Sequence, residues 1–330
     1  MAILATQRVL TLDYWKIAEH ITESDIVFDR HGKPARVKLV QKYRSDNCYA
    51  VYFDDGLSIK GDLNLCLPVE NEKYRKRVNQ YKGQRKFSRP IAIKSLEELK
   101  ELPLRGRENR HEYTVPTADP LKFPTQTLPV PPFVFGFWFF NRKYDDTMYA
   151  PPGTDEFVHR KFKDAGYKLI PKRITHNGQQ KFITQPTIKS HLVPNIPTSI
   201  PDNYLLASEE QRLELLRGII HAKSRQYNAK RDRFRVTTRN KLEAKQIQYL
   251  AESLGCKTKL YKQANKSGHS LEIKTRLRLI ENQVSPNLKI RQQWRYVDEI
   301  VQIQPQNCVH IETDSPDGSF LVGEGFIACH

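Results

Sequence analysis

Two stretches in the second half of the chain alternate cations with apolar residues. In DRFRVTTRN, Arg233, Arg235, Thr237 and Arg239 fall on one side of an extended backbone, and Phe234 and Val236 on the other. In SLEIKTRLRLI, Lys274, Arg276 and Arg278 alternate with Ile273, Leu277 and Leu279. Successive side chains of a strand point to opposite faces, so each stretch predicts an apolar face for packing and a cationic face for something outside. Guanidinium and ammonium groups in such rows are the donors that hold phosphate oxygens and read acceptor edges of bases. An ordinary antiparallel sheet with solvated basic side chains would give the same pattern. Lys172, Arg173 and Lys181 form a smaller cluster of the same kind further upstream.

The whole chain leans the same way. Its 54 Lys and Arg against 37 Asp and Glu leave a net charge of +17 over 330 residues, which points to a polyanionic partner. Between Lys73 and Arg89 there are eight basic residues and no acidic one. At 38% apolar residues the chain can build packed cores and is not globally disordered. The longest apolar run, PPFVFGFWFF, is too short to span a bilayer, and a membrane role is not expected. Five cysteines without a repeated short spacing give neither a zinc pattern nor a disulfide framework; a reducing, cytoplasmic setting fits.

The elements that must position these residues follow from periodicity and turn chemistry. VFDRHGKPARVKLVQKY and NCYAVYFDDGLSIKGDL alternate around RHGKP and DDG and read as strands. Ser95 starts a short helix in a proline-punctuated connector. The apolar FVFGFWFFN follows, then a helix capped at Thr154 and stopped at Gly166, then two strands around Asn177-Gly178. SEEQRLELLRGIIHA reads as a helix with Ser208 as N-cap, Gln211 as its capping-box partner, and Leu213, Leu216 and Ile220 on one face. DRFRVTTRN, the amphipathic KLEAKQIQYLAESLG ended by Gly255, and SLEIKTRLRLI complete a second pass through the same order. After Trp294 the chain returns to β-character. The expected fold class is α+β: one β-domain, formed by 1–90 and 293–330, interrupted by a connector at 91–125 and a duplicated α/β insertion at 126–292.

In this order the stretches resemble an intein, a Hint-type splicing domain interrupted by a LAGLIDADG homing endonuclease. AILATQRVLTLDYWK is similar to the N-terminal splicing block, YAVYFDDGLSIKGDLNLCLPV to the second, and CVHIETDSPDGSFLVGEGFIACH to the two C-terminal blocks. LPVPPFVFGFWFFNRK and YLLASEEQRLELLRGIIHAKS resemble the two LAGLIDADG helices with their lead-ins. The resemblance implies an α+β fold of a split Hint domain carrying a duplicated αββα-type insertion. It also implies double-stranded DNA as partner, a monomer, and a flanking host protein.

It assigns chemistry residue by residue, and much of that chemistry is missing. Ala2 stands where splicing needs a nucleophilic Cys or Ser. Leu65 stands where a histidine polarises the upstream peptide bond. His330 matches the histidine that assists cyclisation of a following asparagine, which is not present in this sequence. A subclass of inteins that begins with alanine uses a cysteine at the place of Cys308; its other two marker positions hold Leu67 and Cys329 here. For Cys308 a small buried core residue is the competing reading. In the nuclease part, Gly136 and Gly218 match the glycines of close helix approach, but Asn141 and Lys223 occupy the metal-binding acid positions. Asp145, Asp146 and Asp232 are the nearest replacement acids. The expectation is therefore a protein that binds DNA, with nuclease and splicing chemistry lost and no cofactor, Mg²⁺ being needed only by a live nuclease. Two alternatives stay open: an active endonuclease or Cys308-dependent splicing element, and a structural insertion in a phage terminase or helicase.

Overall fold

The computed structural model describes residues 2–71, 91–142, 147–150, 156–174, 180–192, 196–223, 226–228, 233–238, 240–262, 268–275, 277–281, 283 and 294–330. The basic run 73–89, Thr154, Asn177-Gly178, Arg239, Arg276, and the acids Asp145, Asp146 and Asp232 lie outside the described residues, as does the side chain of Arg173. The chain forms two compact units. One comprises Met1–Lys122, Gly255–Lys259 and Lys289–His330, the other Phe123–Leu254 and Leu260–Leu288.

The first unit is β-rich. Its strands are β1 (Ala2–Leu4), β2 (Arg8–Leu10), β3 (Trp15–Ile17), β4 (Ile26–Phe28), β5 (Pro34–Ser45), β6 (Cys48–Phe53), β7 (Ser58–Asp62), β8 (Cys66–Asn71), β9 (Ala92–Ser95) and β10 (Tyr113–Pro116). The C-terminal part adds β18 (Trp294–Ile303), β19 (Gln306–Thr313), β20 (Phe320–Val322) and β21 (Ile327–Cys329). Ten of them form a sheet in the order β4-β5-β19-β1-β7-β6-β18-β10-β8-β9, and β21-β20-β2-β3 form a second sheet. The N-terminal strand β1 is thus wedged between β19, from the far end of the sequence, and β7. Alternation explains the layering: Ile3, Val51, Ile59, Val297, Val309 and Ile311 all turn into one core.

The proline-punctuated connector is built into this unit as far as Lys122. Ser95 accepts from the Glu98 amide while the Glu98 carboxylate accepts from the Ser95 amide, a capping box that starts α1 (Leu96–Lys100). β10 then pairs with both β8 and β18.

The second unit contains α2 (Pro132–Asn141), β11 (Met148–Ala150), α3 (Glu156–Asp164), β12 (Lys168–Ile174), β13 (Gln180–Gln185), α4 (Asp202–Leu205), α5 (Glu209–Lys223), β14 (Gln226–Asn228), β15 (Arg233–Thr238) and α6 (Lys241–Glu252). β17 (His269–Lys274) also belongs to it, and of β16 (Lys257–Lys262) the residues from Leu260 on; the sheets are ordered β11-β13-β12 and β14-β15-β17-β16. The duplication is visible in the strand orders, since β11-β13-β12 matches β15-β17-β16. The second copy runs α5-β14-β15-α6, whereas the described residues of the first give a single strand, β11, between α2 and α3. α2 is apolar all round and is buried from Phe133 to Phe139. α5 starts as its sequence suggests: the Ser208 amide donates to Gln211 Oε1 at 3.3 Å and the Gln211 amide to Ser208 Oγ at 3.4 Å. Its buried face is wider than one leucine stripe and includes Arg212, Leu215 and Ile219. After α3, Gly166 at φ +82° adopts the left-handed conformation that ends a helix.

One expected strand is shorter than its alternation suggests. SLEIKTRLRLI pairs only as far as Lys274. Beyond it, the Leu277 amide donates to Thr275 Oγ1 (2.9 Å) and the Leu279 amide to Gln283 Oε1 (2.8 Å), so these amides are satisfied by side chains instead of a neighbouring strand.

Candidate functional site

In the first unit, two positions singled out by the resemblance come together, and the backbone of a third bonds to the residue that follows one of them. Ala2 is wholly buried, paired with His310. A Cβ added to Gly61 would lie 2.3 Å from the Ala2 carbonyl oxygen and 2.9 Å from Leu65 Cδ2, so the Ala2 peptide and the Leu65 side chain meet across a glycine. Residues more than sixty apart in sequence are therefore neighbours. The His330 amide donates to the carbonyl of Cys66, the residue after Leu65, at 3.0 Å.

His330 is held in a defined state. Its Nδ1 lies 2.9 Å from the Asp317 carbonyl oxygen, an acceptor only, so Nδ1 carries the proton and Nε2 keeps a lone pair. Nε2 is shielded from water and has no partner. Burial pulls the pKa of the ring below the ordinary histidine value, against the Asp317 contacts that favour protonation. The arrangement suits a neutral base.

Cys308 sits one layer away. It pairs with Leu4 on one side and Tyr43 on the other, and its side chain packs with Ala2, Leu4 and Cys48. Its Sγ is 3.9 Å from that of Cys48. Burial, then the Cys48 thiol, pushes its pKa up to about 12. Asp62, which the sequence reading overlooked, organises the same corner: it accepts from the Tyr43 hydroxyl (2.5 Å) and the Asn64 amide (2.9 Å). Leu67 and Cys329 are also buried.

In the second unit, α2 and α5 cross at their glycines. A Cβ on Gly136 would meet the Leu215 carbonyl at 2.6 Å, and one on Gly218 the Phe133 carbonyl at 2.2 Å. Only hydrogen atoms fit there. The C-terminal ends of the two helices carry Asn141 and Lys223. Asn141 Nδ2 is buried without an acceptor, and Lys223 Nζ lies 5.7 Å from the centre of the Phe140 ring. An ammonium repels a divalent cation, and the neutral amide of Asn141 is a weaker ligand than the carboxylate such a site is built on. Among the described residues no group of three His, Cys, Asp or Glu is placed to hold one.

The basic strand faces are rearranged by a residue that the alternation already displayed. On β15, Phe234, Val236 and Thr238 are buried, while Arg233, Arg235 and Thr237 face the other way. Across the ladder Arg233 pairs with Lys274, Arg235 with Glu272 and Thr237 with Ser270. Glu272 therefore shares the cationic face. Arg233 Nη1 donates to both of its oxygens at 2.8 Å and Arg235 Nη2 to one at 3.0 Å. Burial pushes the Glu272 carboxyl up, but the two arginines outweigh it and hold its pKa below the ordinary value.

Arg278 does not stand on this face. It lies beyond the end of β17, where its carbonyl accepts from Arg217 Nε and Nη2 and its own Nη2 donates to the Glu281 carbonyl at 2.6 Å. The expectation that Lys274 and Arg278 share a strand face is thus corrected: Thr275 and Gln283 end the ladder first. Upstream, a register shift between Pro171 and Ile174 leaves Lys172 and Arg173 together opposite Lys181.

No family model matches the chain. Over 220 residues, 62% of the chain, it is 26% identical to the replicative DNA helicase DnaB of Mycobacterium intracellulare, and it spans 34% of that protein, about a third of its length. Among solved structures, the MchDnaB-1 intein is 25% identical over 21% of this chain and 53% of its own, with a TM-score of 0.20. The homing endonuclease I-DmoI, in complex with DNA and Mn, is 10% identical over 52% of this chain and 78% of its own, with a TM-score of 0.29. The chain is thus similar to DnaB inteins and to a LAGLIDADG homing endonuclease, and its β-rich unit is split in sequence by the second unit.

Proposed function

We propose that this protein is an intein-type insertion that no longer activates its upstream junction, and whose second unit binds double-stranded DNA without cutting it. The observation that supports the reading is the approach of the Ala2 carbonyl and the Leu65 side chain across Gly61, with the His330 backbone bonded to Cys66, the residue after Leu65. The methyl group of Ala2 has no lone pair to attack a carbonyl carbon, and Leu65 has no proton to give the departing amide. Cys308 does not replace them, because it is fully buried against Cys48 and burial raises its pKa, which disfavours the thiolate. His330 differs. Its Nε2 lone pair is available for assisting cyclisation of an asparagine placed after it, so cleavage at the downstream junction is the reaction this centre retains.

In the second unit, Asn141 and Lys223 cannot assemble the two-metal site that would activate water beside a phosphodiester. Arg233, Arg235 and Lys274 remain on one sheet face, with Lys172 on the other copy, and the proposed partner is duplex DNA held by a single chain carrying both halves. The match of 62% of this chain to a third of a DnaB helicase supports an insertion in a host protein of that kind.

The test places the chain between two reporter domains with an asparagine added after His330. The expected products are downstream cleavage and no ligated reporter, and no cutting of genomic DNA when the purified protein is supplied with Mg²⁺ or Mn²⁺. Ligated reporter that disappears on Cys308→Ala would overturn the reading and establish splicing through the internal cysteine. Cutting of DNA lost on Asp145→Ala or Asp146→Ala would establish a live nuclease.

A further inference from the structure

The ring of His330 is steered by a stretch of backbone, and side chains distant in the sequence hold that backbone in place. The carbonyl that accepts from Nδ1 belongs to Asp317, in the loop between β19 and β20. The Asp317 Oδ1 accepts from the Ser319 amide at 3.1 Å and the Ser319 hydroxyl at 2.6 Å, which closes the loop onto itself. The other carboxylate oxygen pairs with Nε of Arg30, in the turn between β4 and β5. The Arg30 amide donates to Ser319 Oγ at 3.1 Å, so the turn and the loop are joined twice. Ser319 is wholly buried, and its hydroxyl gives to a carboxylate while taking from an amide, which fixes its orientation.

A neutral histidine is a base at one ring nitrogen only while the other keeps the proton, and the partner of that other nitrogen decides which is which. The Asp317 carbonyl can only accept. Turned away, it would leave the ring free to carry its proton on Nε2 and lose the lone pair there. The loop SPDGS has no large apolar side chain to anchor it, and Gly318 sits at φ +69°, so polar contacts must hold its shape.

Charge acts beside geometry. Burial lowers the His330 pKa, the Asp317 contacts oppose this, and the Arg30 guanidinium adds to it. Burial pushes the Asp317 carboxyl up, but the Ser319 hydroxyl and amide, then Arg30 and His330, hold it below the ordinary value. The strands packed beside β21 are β8, β10 and β20. Their titratable side chains are Cys66 and Glu70 of β8 and Tyr113 of β10, with Cys329 on β21 itself. Burial raises both thiols, which keeps them uncharged at neutral pH. Further out, His31 Nε2 lies 3.8 Å from the Asp317 carboxylate and His31 Nδ1 3.0 Å from that of Asp119.

We propose that Arg30 and Ser319 are positioning residues for His330: through the Asp317 carboxylate they hold the Asp317 carbonyl on Nδ1 and so keep the lone pair on Nε2. The proposal rests on the reading that His330 assists cleavage at the downstream junction. It adds the residues, outside the reacting centre, on which that assistance depends.

The experiment reads the ring by nitrogen NMR of the full chain with isotopically labelled histidine, His330 being assigned from the signal absent in His330→Gln. The parent should carry its proton on Nδ1. Arg30→Gln removes a positive charge, so the His330 titration should move to higher pH; Asp317→Asn removes a negative charge and should move it to lower pH. Arg30→Lys should return it to the parent's position, and Ser319→Ala should mix in the tautomer with the proton on Nε2. In the reporter fusion with asparagine after His330, Arg30→Gln should slow downstream cleavage and shift its acid limb to higher pH, and Arg30→Lys should restore that limb. Opposite shifts from two variants of one ion pair are not what a purely structural role gives. A parent with its proton on Nε2, or a titration unmoved in both Arg30→Gln and Asp317→Asn while thermal melts show them folded, overturns the positioning role. Should either variant fail to fold, Ser319→Ala decides by tautomer, and an unchanged ring overturns the role. A ring that behaves as expected in a fusion that does not cleave overturns the retained downstream reaction and leaves the positioning intact.

Discussion

Replacing Gly218 by alanine sets two physical effects against each other. In a helix, alanine is favoured over glycine by about 0.8–1.0 kcal/mol, so propensity alone raises stability. The new methyl, however, would sit 2.2 Å from the Phe133 carbonyl oxygen and 3.0 Å from both the Phe133 carbonyl carbon and the Phe137 amide nitrogen. All three are backbone atoms of α2 and cannot rotate away, so the helices must part by about 1 Å to reach an ordinary separation of roughly 3.5 Å. A gap of that size forfeits a quarter to a half of each dispersion contact. The side chains that lose contact are large: Phe133, Phe137, Leu215 and Ile219 are all buried. At about 1 kcal/mol for each, from some 40 contacts of 0.1 kcal/mol reduced by a quarter, the loss is roughly 4 kcal/mol. Subtracting the propensity gain leaves a net destabilisation of about 3 kcal/mol, inside the usual range for overpacking. For a unit of this size the melting temperature should fall by roughly 6–12 °C. Differential scanning calorimetry reads this directly. Gly136→Ala, with its nearest backbone contact at 2.6 Å, should cost less than Gly218→Ala. Gly166→Ala, where no atom lies within 4 Å but φ is +82°, isolates the left-handed backbone strain at about 1–2 kcal/mol. A Gly218→Ala protein that melts at or above the parent would refute the close crossing of the two helices.

Two further outcomes are expected. Glu272→Gln leaves Arg233 and Arg235 facing one another without their shared carboxylate; with the arginines partly exposed, the cost should be about 1–2 kcal/mol, while nonspecific duplex binding at low salt strengthens. Because the Glu272 pKa is lowered in the fold, its contribution is present above the ordinary carboxylate value of about 4.3 and disappears as pH falls through the lowered value, so urea midpoints of the variant should decline less steeply in acid; identical acid limbs would remove the pairing from the argument. His330 also has a lowered pKa, in this case through burial, and the unfolded chain takes up its proton first. The parent should therefore lose stability as pH drops below about 6.5, and His330→Gln should not show that limb in urea titrations at pH 7 and pH 5.

Much of the fold was legible because the signals were local. Ser95 with Glu98 and Ser208 with Gln211 are capping boxes that a sequence displays openly, and both close in the structure. The alternation of DRFRVTTRN carries straight into the burial pattern of β15. Where reading from sequence stops short, a distant partner decides. SLEIKTRLRLI alternates well past Lys274, but Thr275 and Gln283 take over the amides that a longer strand would need, and nothing in the alternation announces that. Glu272 stood in plain view, two residues before Lys274. Its effect depends on register, because a pairing shifted by one residue would have put it on the core face and left both arginines unneutralised.

The same distinction runs through the first unit. Whether Ala2 and Leu65 can do chemistry is a question of residue type, answered as soon as the positions are assigned. Their proximity is a question of space, decided at a residue the sequence did not single out: Gly61, whose missing side chain lets the Ala2 carbonyl and Leu65 approach the same point. A leucine there is also a packing solution. Leu65 and Leu67 are wholly buried in the core that holds Ile3, Val51 and Val309, so replacing a polar group by an apolar one at this point removes a desolvation cost while keeping the sheet together. A leucine at this position therefore keeps the core packed with no demand for a hydrogen-bond partner.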